Sequence, residues 1–220
     1  MPYFSPDYLQ FFRELSANNH KEWFDVHRKR YEKEVKIPFQ RFVEEVIDAV
    51  KAHDPDLQIA PKDAIFRINK DIRFSKDKKP YKDRMAAIVS AYGRKDKSFP
   101  GLYFELGPEH MRIYGGLYML GTQQIYHVRN AIAHNRDLFR KIYSASEFTA
   151  HYKEIHGEQA KRIPKEFHEV AKKEPLIYNK NWYYYHTLPA ETVERDDLLE
   201  IVMEYYLAGK PLLDFFKEAI

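Results

Sequence analysis

Residues 102–120 read LYFELGPEHMRIYGGLYML, and this stretch decides the fold. Apolar and other side chains alternate from Leu102 to Leu106 and again from Met111 to Leu120. That is the period of a strand with one buried face. Gly107-Pro108-Glu109-His110 separates the two runs with turn formers, which predicts a hairpin. Ala64 to Ile68 and Met85 to Tyr92 read as strands upstream, and Trp182 to Leu188 is aromatic and β-branched enough for another downstream. Short connections imply antiparallel pairing.

Helical spacing surrounds this sheet. Ser5-Pro6-Asp7 is a start signal for a helix carrying Tyr8, Leu9, Phe11, Phe12 and Leu15. Asn18 is read as its left-handed stop, and Asn19 with Glu22 as the cap of the next helix. Pro38 is expected to break or restart that helix. Phe39, Phe42, Val43, Val46, Ile47 and Val50 then give the clearest amphipathic pattern in the chain. Helices are expected from Thr122, over Arg136 to Tyr143 and over Glu147 to His156. Another is expected over Asp197 to Leu207, with Gly209 as stop and Pro211 opening a terminal helix. The expectation is an α+β fold: an antiparallel sheet of about four to six strands flanked by N-terminal and C-terminal helices. No repeat or long linker divides the 220 residues, so residues 1–220 read as one domain.

Composition narrows the chemistry. The chain has no cysteine, which removes disulfides, thiolate nucleophiles and Cys-ligated metals. The N-terminus lacks the pattern of a signal peptide, and no run reaches the ~18 apolar residues of a membrane span. A cytoplasmic protein with no membrane partner is expected. The ten histidines show no HExxH spacing, so no metal site is expected. His127 and His134 lie about two turns apart, roughly 10 Å, too far to share one ion. Ser75 has no nearby histidine or nucleophile elbow. Gly115-Gly116 fits neither dinucleotide nor phosphate-loop spacing and reads as a bulge or close approach.

The net charge of +3 is too small for a generic nucleic-acid binder, but its distribution is uneven. Residues 69–84 read NKDIRFSKDKKPYKDR. Seven cations stand against three acids here, a net +4, so the positive excess of the whole chain lies in this segment. Clustered cations attract anions, and an arginine fork fits phosphate or carboxylate. Arg67, Asn69, Arg73, Lys78 and Lys82 are the candidate ligand-binding residues, with Trp23, Phe74 and Tyr81 as supports. Asp71 and Asp77 can orient the cations, form an acid/base pair, or hold Mg²⁺ beside a phosphate. Alternation of acids with bases permits the opposite reading, a solvated and internally paired loop.

This segment also carries a family resemblance. Its Phe66-Arg67-x-Asn69-x-Asp71-x-Arg73-Phe74-Ser75-x-Asp77-Lys78-x-Pro80-Tyr81-Lys82 run is similar to that of the bacterial proteins grouped as domain of unknown function 2461. Asn18-Asn19-x-Lys21-Glu22-Trp23-Phe24, with Tyr31 and Pro38 downstream, also matches. So do Pro100-Gly101-x-Tyr103 and Gly115-Gly116-x-Tyr118; Lys161, Pro164 and Phe167 fit less closely. The chain departs at Lys173-Glu174-Pro175, where relatives commonly carry Asp-His-Pro, so no role for that histidine carries over. The resemblance implies relatives and supplies no activity.

Arg112, Tyr114 and Tyr118 share one hairpin face, joined by Tyr103 and Glu105 if the register permits. With Trp182 to Tyr185 nearby, these rings can wall a pocket beside the basic loop. Packing beneath the flanking helices is the plainer expectation. The leading functional expectation is binding of an anionic, phosphate-bearing small molecule at Arg67–Arg84, with catalysis left open. The alternatives are a nucleic-acid or protein interaction module, or a purely structural ion-pair network.

Overall fold

The alternation in residues 102–120 produces the two central strands of the molecule. The computed structural model describes residues 1–73 and 76–220, so Phe74 lies outside the described residues. Four strands form one sheet: β1 (Met85–Val89), β2 (Leu102–Leu106), β3 (Met111–Leu117) and β4 (Trp182–Leu188). Their order is β1-β2-β3-β4, and every neighbouring pair is antiparallel.

Before the sheet run α1 (Pro6–Ala17), α2 (Lys21–Val26), α3 (Arg28–Arg30), α4 (Ile37–Lys51) and α5 (Pro61–Ala64). After β3 come α6 (Thr122–His134), α7 (Arg136–Tyr143), α8 (Ser146–Tyr152) and α9 (His168–Ala171), and α10 (Leu198–Ala219) closes the chain. The fold is therefore α+β, with helices at both ends flanking one antiparallel sheet. Among the described residues, no helix is long and apolar enough to cross a membrane.

Strand pleating separates two unlike faces. Ala87, Val89, Leu102, Phe104, Met111, Ile113, Leu117, Trp182 and Tyr184 are buried on one of them. Phe104 meets Phe39 and Phe42 of α4 at ring separations of 6.1 and 5.6 Å. The Tyr184 hydroxyl donates to the Gly209 carbonyl of α10 at 2.8 Å. Each large ring enclosed this way contributes roughly 1.5–3 kcal/mol relative to exposure.

The opposite face carries two rows fixed by the register. Ile88, Tyr103, Tyr114 and Tyr185 form one, and Ala86, Glu105, Arg112 and Thr187 form the other. The register thus places Tyr103 and Glu105 beside Tyr114 and Arg112. These side chains do not pack beneath helices as expected. Tyr103, Glu105 and Tyr114 line an open cleft, and Arg112 stands outside its lining.

Other expectations shift for identifiable reasons. Ala64 to Ile68 is no strand: Pro61 and Asp63 start the helical turn α5, leaving an isolated bridge from Ile65 to Ala87. Pro38 does not break the path, because a π-helical turn over Tyr31–Lys36 leads into α4. That wider turn leaves room for a ring that would otherwise strike the preceding carbonyls. Asn18 is not left-handed, and His20 caps α2 in place of Asn19. Gly209 does not stop α10, nor does Pro211 open a new helix. A Cβ at Gly209 would lie 2.6 Å from the Tyr184 hydroxyl, so glycine there serves close approach of helix to sheet.

Candidate functional site

The basic segment leaves the sheet as a narrow ribbon. The Lys70 amide donates to the Pro80 carbonyl and the Lys82 amide to the Ile68 carbonyl, each at 2.8 Å. Asn69 and Tyr81 form a bridge between them. Residues 68–70 and 80–82 are therefore a stem, with residues 71–73 and 76–79 at the tip.

Asn19 fastens the stem to the N-terminal helices. Its side-chain oxygen accepts from the Tyr81 amide, and its side-chain nitrogen donates to the Tyr81 carbonyl, both at 3.0 Å. The buried Tyr81 ring stacks on Phe24 at 4.1 Å. Trp23 lies further off, against Phe11 and stacked on His27. Asn19 thus anchors the stem instead of capping α2. Its place just before the Lys21-Glu22-Trp23-Phe24 run is the one signal sequence offers for it.

The tip neutralises much of its own charge. Arg73 Nε and Nη2 donate to the two Asp71 oxygens at 2.9 and 2.7 Å. Asp77 accepts from the Lys70 ammonium and the Lys79 amide, both at 3.0 Å. These bonds hold both carboxyls below the usual aspartate range. Lys78 Nζ donates to the Ile72 carbonyl at 3.1 Å. Asp71 and Asp77 are held by different partners. Among the described residues, no three His, Asp or Glu side chains converge as metal ligands.

The stem faces a cleft of about 700 Å³ over the open side of the sheet. Of the five residues picked for ligand binding, Lys82 lines it. Arg67, Asn69, Arg73 and Lys78 are exposed and stand outside its lining. Lys70, Arg84 and Lys97 join Lys82 at the cleft, with Phe66, Phe99, Tyr103, Tyr114, Tyr118 and Tyr183 as its aromatic surfaces. The Lys82 and Lys97 ammonium groups lie 5.3 and 5.4 Å from the centroid of the same ring, Phe66. Among the described residues, no carboxylate lies within 4 Å of either one. Lys82 Nζ instead donates to the Arg67 carbonyl at 2.9 Å. Burial, then the charges of Lys97, Arg67, Arg84 and Lys70, push its ammonium below the ordinary lysine value of 10.5.

Glu105 is buried in the lining of the same cleft, and Tyr103 connects it to the Phe66 ring, 5.9 Å away. Arg84 Nε donates to its Oε2 at 2.9 Å, and the Tyr103 and Tyr114 hydroxyls approach its oxygens at 3.2 and 3.3 Å. Arg84 also reaches Asp83 at 2.9 Å. Burial and the neighbouring Glu105 charge raise both phenols, so both stay protonated as hydrogen-bond donors. Gly116 leaves the floor bare between Tyr114 and Tyr118. Its φ is +107°, and a Cβ would run into the Trp182 carbonyl oxygen.

Lys97 is the cleft residue that sequence reasoning missed. It sits in a second basic run, Arg94-Lys95-Asp96-Lys97, on the β1–β2 connection, and that run was its signal. Together these groups can hold an anion at one end and a ring or hydroxyl-bearing group along the aromatic floor.

No curated protein matches the chain. Its relatives are instead identified by a family model that matches residues 7–215. The chain belongs to the family described as conserved hypothetical protein (DUF2461).

Proposed function

We propose that the chain binds an anionic, phosphate-bearing small molecule in the cleft where the basic stem meets the open face of the sheet. One observation carries this reading. Lys82 and Lys97 share the Phe66 ring, and no described carboxylate lies within 4 Å of either ammonium. Lys82 is partly buried and feels the charge of the exposed Lys97, and an anion placed beside both relieves that repulsion. Concavity favours a small molecule over a duplex, since small-molecule sites typically enclose about 300–1,000 Å³. Lys82 and Lys97 would contact the anion, with Lys70 and Arg84 adding to the local potential. Arg67, Arg73 and Lys78 would act at longer range. Asp71 and Asp77, which do not line the cleft, would serve to order the tip.

The test is isothermal titration of pyrophosphate and a library of phosphorylated metabolites into the wild type, Lys82→Met and Lys97→Met. At least one compound should bind the wild type and lose tenfold or more in affinity with either substitution. Affinity indifferent to both substitutions, in proteins that still fold, rejects the site.

A further inference from the structure

We infer that the anion bound in this cleft carries a ring with hydrogen-bond donors, as a nucleotide does, and that the ring lies over Tyr103, Tyr114 and Gly116 with its edge toward Glu105. This inference rests on the anion-binding reading and specifies its ligand.

The first argument is the floor. Register places Tyr103 opposite Tyr114 in the cleft, with ring centroids 5.3 Å apart, and Tyr185 continues the row beyond the cleft lining. Such a row presents edges and faces of aromatic rings to whatever sits above it. Beside it, Gly116 contributes no side chain, and its positive φ and contact with Trp182 keep it that way. A flat, bare strip bounded by rings suits a planar group, and aromatic surfaces bind bases through their π-faces.

The second argument is polarity. Arg84 and Arg112 stand against Glu105 and Asp83, two cations against two acids, so the surroundings of Glu105 have no excess of positive charge. The excess lies with Lys82 and Lys97. A phosphate is therefore directed to the lysine end and away from Glu105. What reaches Glu105 must be neutral or a donor. A carboxylate offers about four acceptor positions. Arg84 fills one with a 2.9 Å bond, the two tyrosine hydroxyls make long contacts of 3.2 and 3.3 Å, and His110 Nε2 and Arg112 stand off Oε1 at 3.5 and 3.9 Å. An N–H on a ring can thus displace one of these long contacts at Glu105, and a phenol released from the carboxylate can donate to that ring's acceptor.

The experiment compares matched phosphates by isothermal titration against the whole chain. AMP, GMP, UMP and FMN are the ring-bearing set; ribose 5-phosphate and glycerol 3-phosphate are the ring-free set. At least one ring-bearing compound should bind tenfold or more tighter than ribose 5-phosphate. Tyr114→Leu should reduce that ratio severalfold while leaving ribose 5-phosphate unaffected. Glu105→Gln should reduce the preference for AMP over phenyl phosphate. Saturation-transfer NMR on the wild type reads the same contact without a variant, and the ring protons should receive more saturation than the sugar protons. Ribose 5-phosphate that binds as tightly as every ring-bearing compound, with its affinity still dependent on Lys82, overturns this inference and leaves the anion site standing. Binding of every compound indifferent to Lys82 and Lys97 removes both.

Discussion

The tip and the stem of the basic segment carry the same kind of charge and treat it differently. At the tip, the Arg73 fork lies along Asp71, Asp77 takes the Lys70 ammonium, and Lys78 rests on a backbone carbonyl. At the stem, Lys82 is half-buried among other cations and lies with Lys97 over Phe66. Counting lysines in the sequence favours the tip. What makes a positive charge available to a ligand is the lack of a nearby acid together with partial burial, which weakens screening by water. On that measure the stem is the stronger candidate for holding an anion.

The largest effect that can break this contrast comes from unfastening the stem. Asn19→Ala leaves the Tyr81 amide and carbonyl without their partners. It should cost about 2–6 kcal/mol in urea unfolding, from two polar groups at roughly 1–3 kcal/mol each. It should also weaken anion binding. Full stability in this variant would mean that water replaces the asparagine and that the stem needs no such anchor.

Lys82→Met comes next. It removes one positive charge from a crowded group while keeping most of the apolar stem. Anion affinity should fall tenfold or more, and the melting temperature should hold or rise. A lowered melting temperature with unchanged affinity would make Lys82 a structural residue.

A smaller effect is expected in pH. Lys82 titrates below its ordinary 10.5, so the folded protein releases this proton before the unfolded chain does. Between the two values the unfolded chain binds more protons, and this group's contribution to stability therefore rises with pH across that window. Anion binding runs the other way. It favours the charged amine, takes up a proton, and should weaken as pH climbs through the lowered value. Calorimetry in two buffers of different ionisation enthalpy, on the alkaline side, should detect that uptake. Its absence in the wild type, or its persistence in Lys82→Met, would assign the proton elsewhere.

The smallest effect belongs to Arg73→Ala. Its side chain is 76 % exposed and stands outside the cleft lining. Affinity for the same anion should stay within twofold of the wild type. A tenfold loss would move the site from the stem to the tip.

Much of the architecture was legible because strand pleating and helical periodicity write themselves into short stretches. The hairpin at 102–120, the strand at Trp182 to Leu188 and the α4 face from Phe39 to Val50 were all readable this way. What could not be read depended on distant partners. Gly209 looks like a helix stop until Tyr184 is seen against it. Asn19 looks like a cap until Tyr81, 62 residues later, is found bonded to both ends of its amide. The site was legible in part. Charge counting located the segment, and side-chain alternation located the face carrying Tyr103, Glu105 and Tyr114. That this face lines a cleft, and that Lys97 reaches Phe66 from another loop, are facts of tertiary packing.

Soaking crystals of the protein in tungstate tests the central claim most directly, because the heavy anion reports its own position. Anomalous density between the Lys82 and Lys97 ammonium groups is the expected result. Density at Arg73 and Lys78 with the cleft empty would contradict it.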